Sequence, residues 1–224
     1  MFLRTASAVL VSSLLAAPAS ALIIDGIEFP DGAASFADAV VDSLLGDGVA
    51  DTYDDPLDVL GVPDWDASAE TGSFSLGLPG ATPDALPDDQ FGFVTVQFTD
   101  NSLTTSGNAD PDLFVFEIGN AVERFTVEIS QNNVDWILIG EVSGQPTQLD
   151  IDGVSGVTQG TQYSFVRVTD APDGPSSGDP FGGPDIDAIG AISSAPPVIP
   201  LPAAGWALLA GLGALAAAGR RRTG

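Results

Sequence analysis

The sequence predicts an all-β protein built as an antiparallel β-sandwich of the jelly-roll kind. Three observations predict it. Residues 93–99, FVTVQFT, set Val94, Val96 and Phe98 on one face against Thr95, Gln97 and Thr99 on the other, and residues 123–130, ERFTVEIS, repeat the pattern with Phe125, Val127 and Ile129. A period of two marks a half-buried strand. Residues 113–118, LFVFEI, are almost continuously apolar, as in a strand buried on both faces. The runs are short, with Gly, Pro, Asn and Asp between them, which is the punctuation of sandwiches and jelly rolls.

Taken in order, residues 1–21 read as a signal peptide. Arg4 gives a positive start, an apolar stretch follows, and Ala19-Ser20-Ala21 forms the small-x-small site that places cleavage before Leu22. Residues 22–87 are less regular. SFADAVVDSLL fits a short amphipathic helix or a strand, and GDGVADTYDDPLDVLGVPDWDASAETG is an acidic, loop-rich stretch. After the three strands above come VDWILIGEV, TQLDI, YSFVRVT and IDAIGAI. Residues 99–112 and 169–185 are loops broken by Pro and Gly. The sandwich domain is assigned to residues 22–195, and residues 196–224 form a linker and tail. Between Val198 and Gly219 the tail carries no charge, a length that spans a hydrocarbon core about 30 Å thick as a helix. Arg220, Arg221 and Arg222 then form a cationic stop that the positive-inside tendency keeps in the cytoplasm.

Charge and missing residue types exclude whole classes of chemistry. The chain has 31 acidic and 6 basic residues, a net charge of −25. Within residues 22–195 all 31 acids face only Arg124 and Arg167, so the domain carries 29 net negative charges and no lysine. Nucleic acid is excluded as a partner, because phosphate binding needs a basic surface. Histidine and cysteine are absent, which removes Ser-His-Asp and Cys-His catalysis and nitrogen- or sulfur-ligated zinc. Hard oxygen ligands remain, and they suit calcium or magnesium.

The candidate metal ligands lie in loops expected to converge at one end of the sandwich: Asp100 and Asn101 after one strand, Asp110 and Asp112 before the next, Asp185 and Asp187 at the last. Calcium takes about 6–8 oxygens, which flexible acidic loops supply. Asp112 and Glu117 are separated by an odd number and face opposite ways along a straight strand. No EF-hand pattern occurs, GGPDID is only a fragment of the Gly-Asp nonapeptide, and no Asp-Thr-Gly or Asp-Ser-Gly points to an aspartic protease. A glycoside hydrolase needs only two carboxylates, a condition this composition meets without information. Trp65, Trp136 and Tyr53 are the aromatic candidates for stacking on a sugar ring; Trp65, in the loop PDWDASAE, is the freest to touch a ligand, whereas Trp136, flanked by apolar residues, is expected in the core.

Two family resemblances follow from these segments. Pro200-Leu201-Pro202-Ala203, the apolar run and the arginine stop resemble the VPLPA-CTERM sorting signal, a relative of PEP-CTERM, with Ile199 where that family usually has valine. The resemblance implies a Gram-negative bacterium, recognition by an exosortase-type membrane enzyme, and a place at the cell surface or in the extracellular matrix, with the tail helix holding the chain in the inner membrane before processing. Residues 35–192 carry, in order, DPLDVLGVPD, SFSLGLPG, VQFTDN, PDLFVFEIG, VEISQNNVDWILIGEVSG, YSFVRVTD and PDIDAIGAI. These are similar to the discoidin, or galactose-binding-like, domains of such surface proteins. In the hairpin, Asn133 takes the place of a glycine and tolerates positive φ. The expectation is an exported, non-enzymatic surface protein. A carbohydrate-binding module for exopolysaccharide is the alternative, and a carboxylate hydrolase stands behind both.

Overall fold

The computed structural model describes residues 20–78, 91–171 and 182–196. The signal segment with Ala19, and the tail with Pro200, Leu201, Pro202, Ala203, Arg220, Arg221 and Arg222, lie outside them. Among the described residues no helix is long and apolar enough to cross a membrane. The strands in chain order are β1 (Leu22–Ile24), β2 (Ile27–Phe29), β3 (Ala39–Leu44), β4 (Phe74–Ser75), β5 (Phe93–Gln97), β6 (Ser102–Leu103) and β7 (Leu113–Ile118). They continue with β8 (Phe125–Ser130), β9 (Trp136–Val142), β10 (Thr147–Leu149), β11 (Phe165–Asp170), β12 (Asp185–Ala191) and β13 (Ser194–Ala195). Only two 3-10 turns, Gly32–Ser35 and Pro56–Val59, interrupt the β structure of the described chain.

Two antiparallel sheets pack face to face. One has the order β3-β5-β11-β8-β9, the other β10-β7-β12-β4. In the first, strand register aligns the β-branched residues in rows. Val96, Val166, Ile129 and Ile137 form one row, and Val94, Val168 and Val127 another. These rows meet Leu113, Val115, Ile186, Ile189 and Leu149 of the second sheet in one apolar core. Each fully buried Val, Leu or Ile contributes about 1.5–3 kcal/mol. Alternation therefore determines which side of each strand faces the other sheet, as the sequence implies.

The segment left open between helix and strand is β3. Val40 and Val41 favour extended backbone, and the strand pairs with β5 through a bulge between Val40 and Asp42. An N-terminal hairpin, β1–β2, is also present, although the sequence reading assigned nothing there. Its turn is Asp25-Gly26, both at positive φ (51° and 83°), the pairing that two-residue hairpins prefer.

That hairpin makes β7 and β12 strands with two buried faces. Leu113 and Val115 point into the main core, while Phe114 and Phe116 point outward into a second cluster with Phe29, Phe36 and Ala188. Phe29 and Phe36 lie 4.6 Å apart between ring centroids, and Phe29 meets Phe114 edge-on at 5.9 Å. Gly190 of β12 makes room for them. A Cβ there would lie 2.8 Å from the Phe36 ring and 2.9 Å from the Phe29 ring.

Candidate functional site

A cavity of about 540 Å³ opens where β7 ends and β12 begins, lined by Tyr53, Trp65, Glu70, Asn120 and Asp185 among others. Four separate segments supply these residues. Tyr53 is held by its carbonyl, which accepts from the Ser75 amide at 3.0 Å and ties the loop to β4. Trp65 is placed by the Asp64 amide, which donates to Asp187 Oδ1 at 3.0 Å across 123 residues of sequence. Beyond Trp65 the chain closes a small loop. Asp66 and Thr71 form a bridge, and Asp66 Oδ1 accepts from the Ser68 and Ala69 amides at 2.8 and 3.2 Å. Glu70 sits in that loop at a φ of 54°, a conformation more comfortable for glycine or asparagine. Asn120 comes from the turn after β7, and Asp185 from the first position of β12.

The Trp65 and Tyr53 rings are 6.0 Å apart and tilted by 42°. Trp65 is half-buried and Tyr53 buried. Burial pushes the Tyr53 hydroxyl pKa upward, and the charges of Glu70 and Asp185 push the same way. Asp185 is only 4 % exposed and accepts a hydrogen bond from the Ser75 hydroxyl. Burial raises its pKa to about 6 in spite of that bond.

Two further buried acids line a second, smaller cavity of about 210 Å³, which shares Ile118 with the first. Asp187 is raised to about 6 by burial, with the amides of Asp64 and Trp65 acting against the shift. Glu117, 2 % exposed, makes no hydrogen bond of good geometry through either oxygen. Its pKa rises to about 9, chiefly through burial; the nearby Gln145 side chain acts against the shift, and the charges of Glu123 and Asp185 add to it. At neutral pH it holds its proton, the response expected of a carboxyl group largely withdrawn from water.

The six expected metal ligands do not converge. β12 runs antiparallel to β7, with Asp185 opposite Ile118, so Asp185 stands at the far end of β7 from Asp112, about 20 Å away by strand rise. Asp187 is buried in β12. Asp100 is exposed in the turn after β5, where its amide donates to Asp38 Oδ2 at 3.2 Å, and Asn101 is buried with no hydrogen-bond partner for its amide group. Asp110 is exposed and its amide donates to Asn108 Oδ1 at 2.6 Å.

Asp112 does join a carboxylate group, with Asp150 and Asp152, which the sequence reading missed because it placed residue 150 inside a strand. One oxygen from each lies within 4.8 Å of the others, an arrangement that can hold a metal ion. Asp112 is buried and accepts from the Ser106 amide at 2.6 Å and the Ile151 amide at 2.9 Å. Asp152 Oδ2 accepts from the Ser106 hydroxyl and the Gly107 amide, both at 2.9 Å. Two loops are thereby fixed against each other with their carboxylates adjacent, and the donor set is all oxygen.

Trp136 is not in the core. Its neighbours Ile137 and Ile139 pack against the core, so adjacent Trp136 falls on the outer face of the five-stranded sheet. There the Arg167 guanidinium lies 4.3 Å from its ring centroid and 5.1 Å from that of Phe93. Arg124 makes a salt bridge with Glu141 at 2.8 Å.

No family and no curated protein matches the chain. Among solved structures it is similar to CpGH89CBM32-6 produced by Clostridium perfringens, with 14% identity and a TM-score of 0.30 over 48% of this chain and 73% of that one. A likeness of that size does not extend to ligand or chemistry.

The buried acids set a pH dependence. Glu117, Asp170, Asp185 and Asp187 have folded pKa values of about 9, 7, 6 and 6, all above their ordinary values of 4.5 for Glu and 3.8 for Asp. The folded chain therefore holds more protons than the unfolded chain from about pH 4 to about pH 9, and stability falls as pH rises through that window. Urea denaturation in high salt, which screens the general repulsion, is expected to give a lower midpoint at about pH 8 than at about pH 5.5. Glu117→Gln is expected to flatten the alkaline part and raise stability at about pH 8 by roughly 2 kcal/mol or more. A midpoint that rises with pH would contradict the burial of these acids.

Proposed function

We propose that this chain is an exported, non-enzymatic surface protein whose sandwich, read as the discoidin-like type, holds a sugar residue of a surface polysaccharide in the cavity between Trp65 and Asp185. The observation that carries this reading is the composition of that cavity: two aromatic rings beside two carboxylates and an amide. A sugar ring has an apolar face, which packs on an aromatic side chain, and a rim of hydroxyls, which need donors and acceptors at fixed positions. The lack of histidine and cysteine removes Ser-His-Asp and Cys-His catalysis, and no spacing in the sequence singles out a carboxylate pair for hydrolysis.

Export rests on the N-terminal segment closing at Ala21, directly before the first residue of β1. Sorting by an exosortase-type enzyme rests on Pro200-Leu201-Pro202-Ala203 and the arginine stop. In an exterior rich in calcium, the natural occupant for Asp112, Asp150 and Asp152 is that ion, held with backbone carbonyls and water, and its role is to join the two loops.

Glycan-array and pull-down measurements with the full chain test the cavity. Trp65→Ala is expected to weaken polysaccharide binding about tenfold or more through loss of the stacking surface, with an unchanged melting temperature. Undiminished binding by this variant would remove the cavity from the account. For the metal, millimolar calcium is expected to raise the melting temperature by roughly 5 °C over magnesium at matched ionic strength, through binding to the folded state alone. Asp150→Asn, an exposed change, is expected to abolish most of the difference. Equal melting temperatures in the two salts would show that these carboxylates hold no specific ion.

A further inference from the structure

The cavity is acidic as well as aromatic, and that restricts the sugar. Asp185 and Glu70 both border it and both act electrostatically on Tyr53. Asp185 is almost fully buried, where an uncompensated carboxylate is costly. Glu70 is held at the rim by strained backbone, with a side chain where a residue without one would be favoured.

Among the described residues no cation lies at this place. The domain has no lysine, Arg124 is engaged with Glu141, and Arg167 lies over Phe93 and Trp136 on the other sheet. An anionic sugar such as a uronate would be repelled. A neutral sugar would fill the space and leave the carboxylates without a counter-charge. An ammonium group satisfies both features together, because ring faces attract cations and carboxylates accept charge-assisted hydrogen bonds.

Resting on the reading of this cavity as a sugar site, we infer that its ligand is an amino sugar with a free, protonated amine. The sugar ring lies on Trp65, the ammonium is directed to Asp185 and Glu70, and Asn120 serves a hydroxyl. A lysine side chain offers the same ammonium without the stacked ring.

Equilibrium dialysis of the full chain separates these ligands. The probes are a tetramer of β-1,4-linked glucosamine, its fully N-acetylated counterpart and a trilysine peptide, at matched ionic strength and a pH at which the sugar amine is protonated. The free-amine tetramer is expected to bind roughly tenfold more tightly than the acetylated one. Glu70→Gln is expected to bring the ratio of the two affinities toward one, and Glu70→Asp, which keeps the charge, to retain most of the preference. Equal affinities for the two tetramers, or a preference for the acetylated one, would overturn the amine assignment and leave the sugar site standing. Tighter binding of trilysine than of the free-amine tetramer would also overturn it, in favour of a peptide. Failure of every saccharide to bind would overturn both the assignment and the sugar site.

Discussion

The antiparallel pairing of β7 with β12 is the contact on which the other features depend. Both strands are covered twice, by the five-stranded sheet on one side and by the aromatic cluster beneath the N-terminal hairpin on the other. Polar residues on such strands have no solvent-facing side. Glu117, Asp185 and Asp187 are therefore taken out of water where the two strands end, and their pKa values rise for that reason. The apolar rows of the two sheets offset that cost. The acids are unfavourable to folding and concentrated beside a cavity, a combination that recurs at binding sites.

The same pairing separates two kinds of acidic site. Because β12 begins where β7 ends, the cavity and the Asp112 group occupy opposite ends of β7. At one end, carboxylates stand beside Trp65 and Tyr53. At the other, they are fixed by backbone amides of residues 106, 107 and 151 with no aromatic partner among those contacts. The first arrangement suits an organic ligand with an apolar face, the second a bare ion. In both, the sheet fixes the position and the loops supply the chemistry, the usual division in a rigid scaffold.

What could be read from the sequence was local. Alternation in FVTVQFT and ERFTVEIS identified β5, β8 and their inward faces, and Asn133 does adopt positive φ (60°), with Asn132 Oδ1 capping the turn. Asp25-Gly26 is an equally local turn signal, hidden inside an irregular stretch. Trp136 was misplaced because apolar neighbours in a strand share its sequence but not its face. The sites are another matter. Tyr53, Trp65, Asn120 and Asp185 are brought together only by strand order, and Asp150 and Asp152 reach Asp112 only because β10 pairs with β7. Strand order is a long-range property that periodicity does not encode, so of these residues the sequence points to Tyr53, Trp65, Asp112 and Asp185 singly and leaves Asn120, Asp150 and Asp152 unassigned.

The central claim is that the junction of β7 and β12 is a ligand site, and amide chemical-shift mapping tests it most directly. The isotope-labelled full chain would be titrated with polysaccharide fragments from the surface of the producing cells. The account predicts saturable shifts at residues 65–70, 119–121 and 185, with the outer face of the five-stranded sheet around Trp136 and Arg167 unmoved. Shifts centred on Trp136 and Arg167, or none at any residue of the cavity, would contradict it.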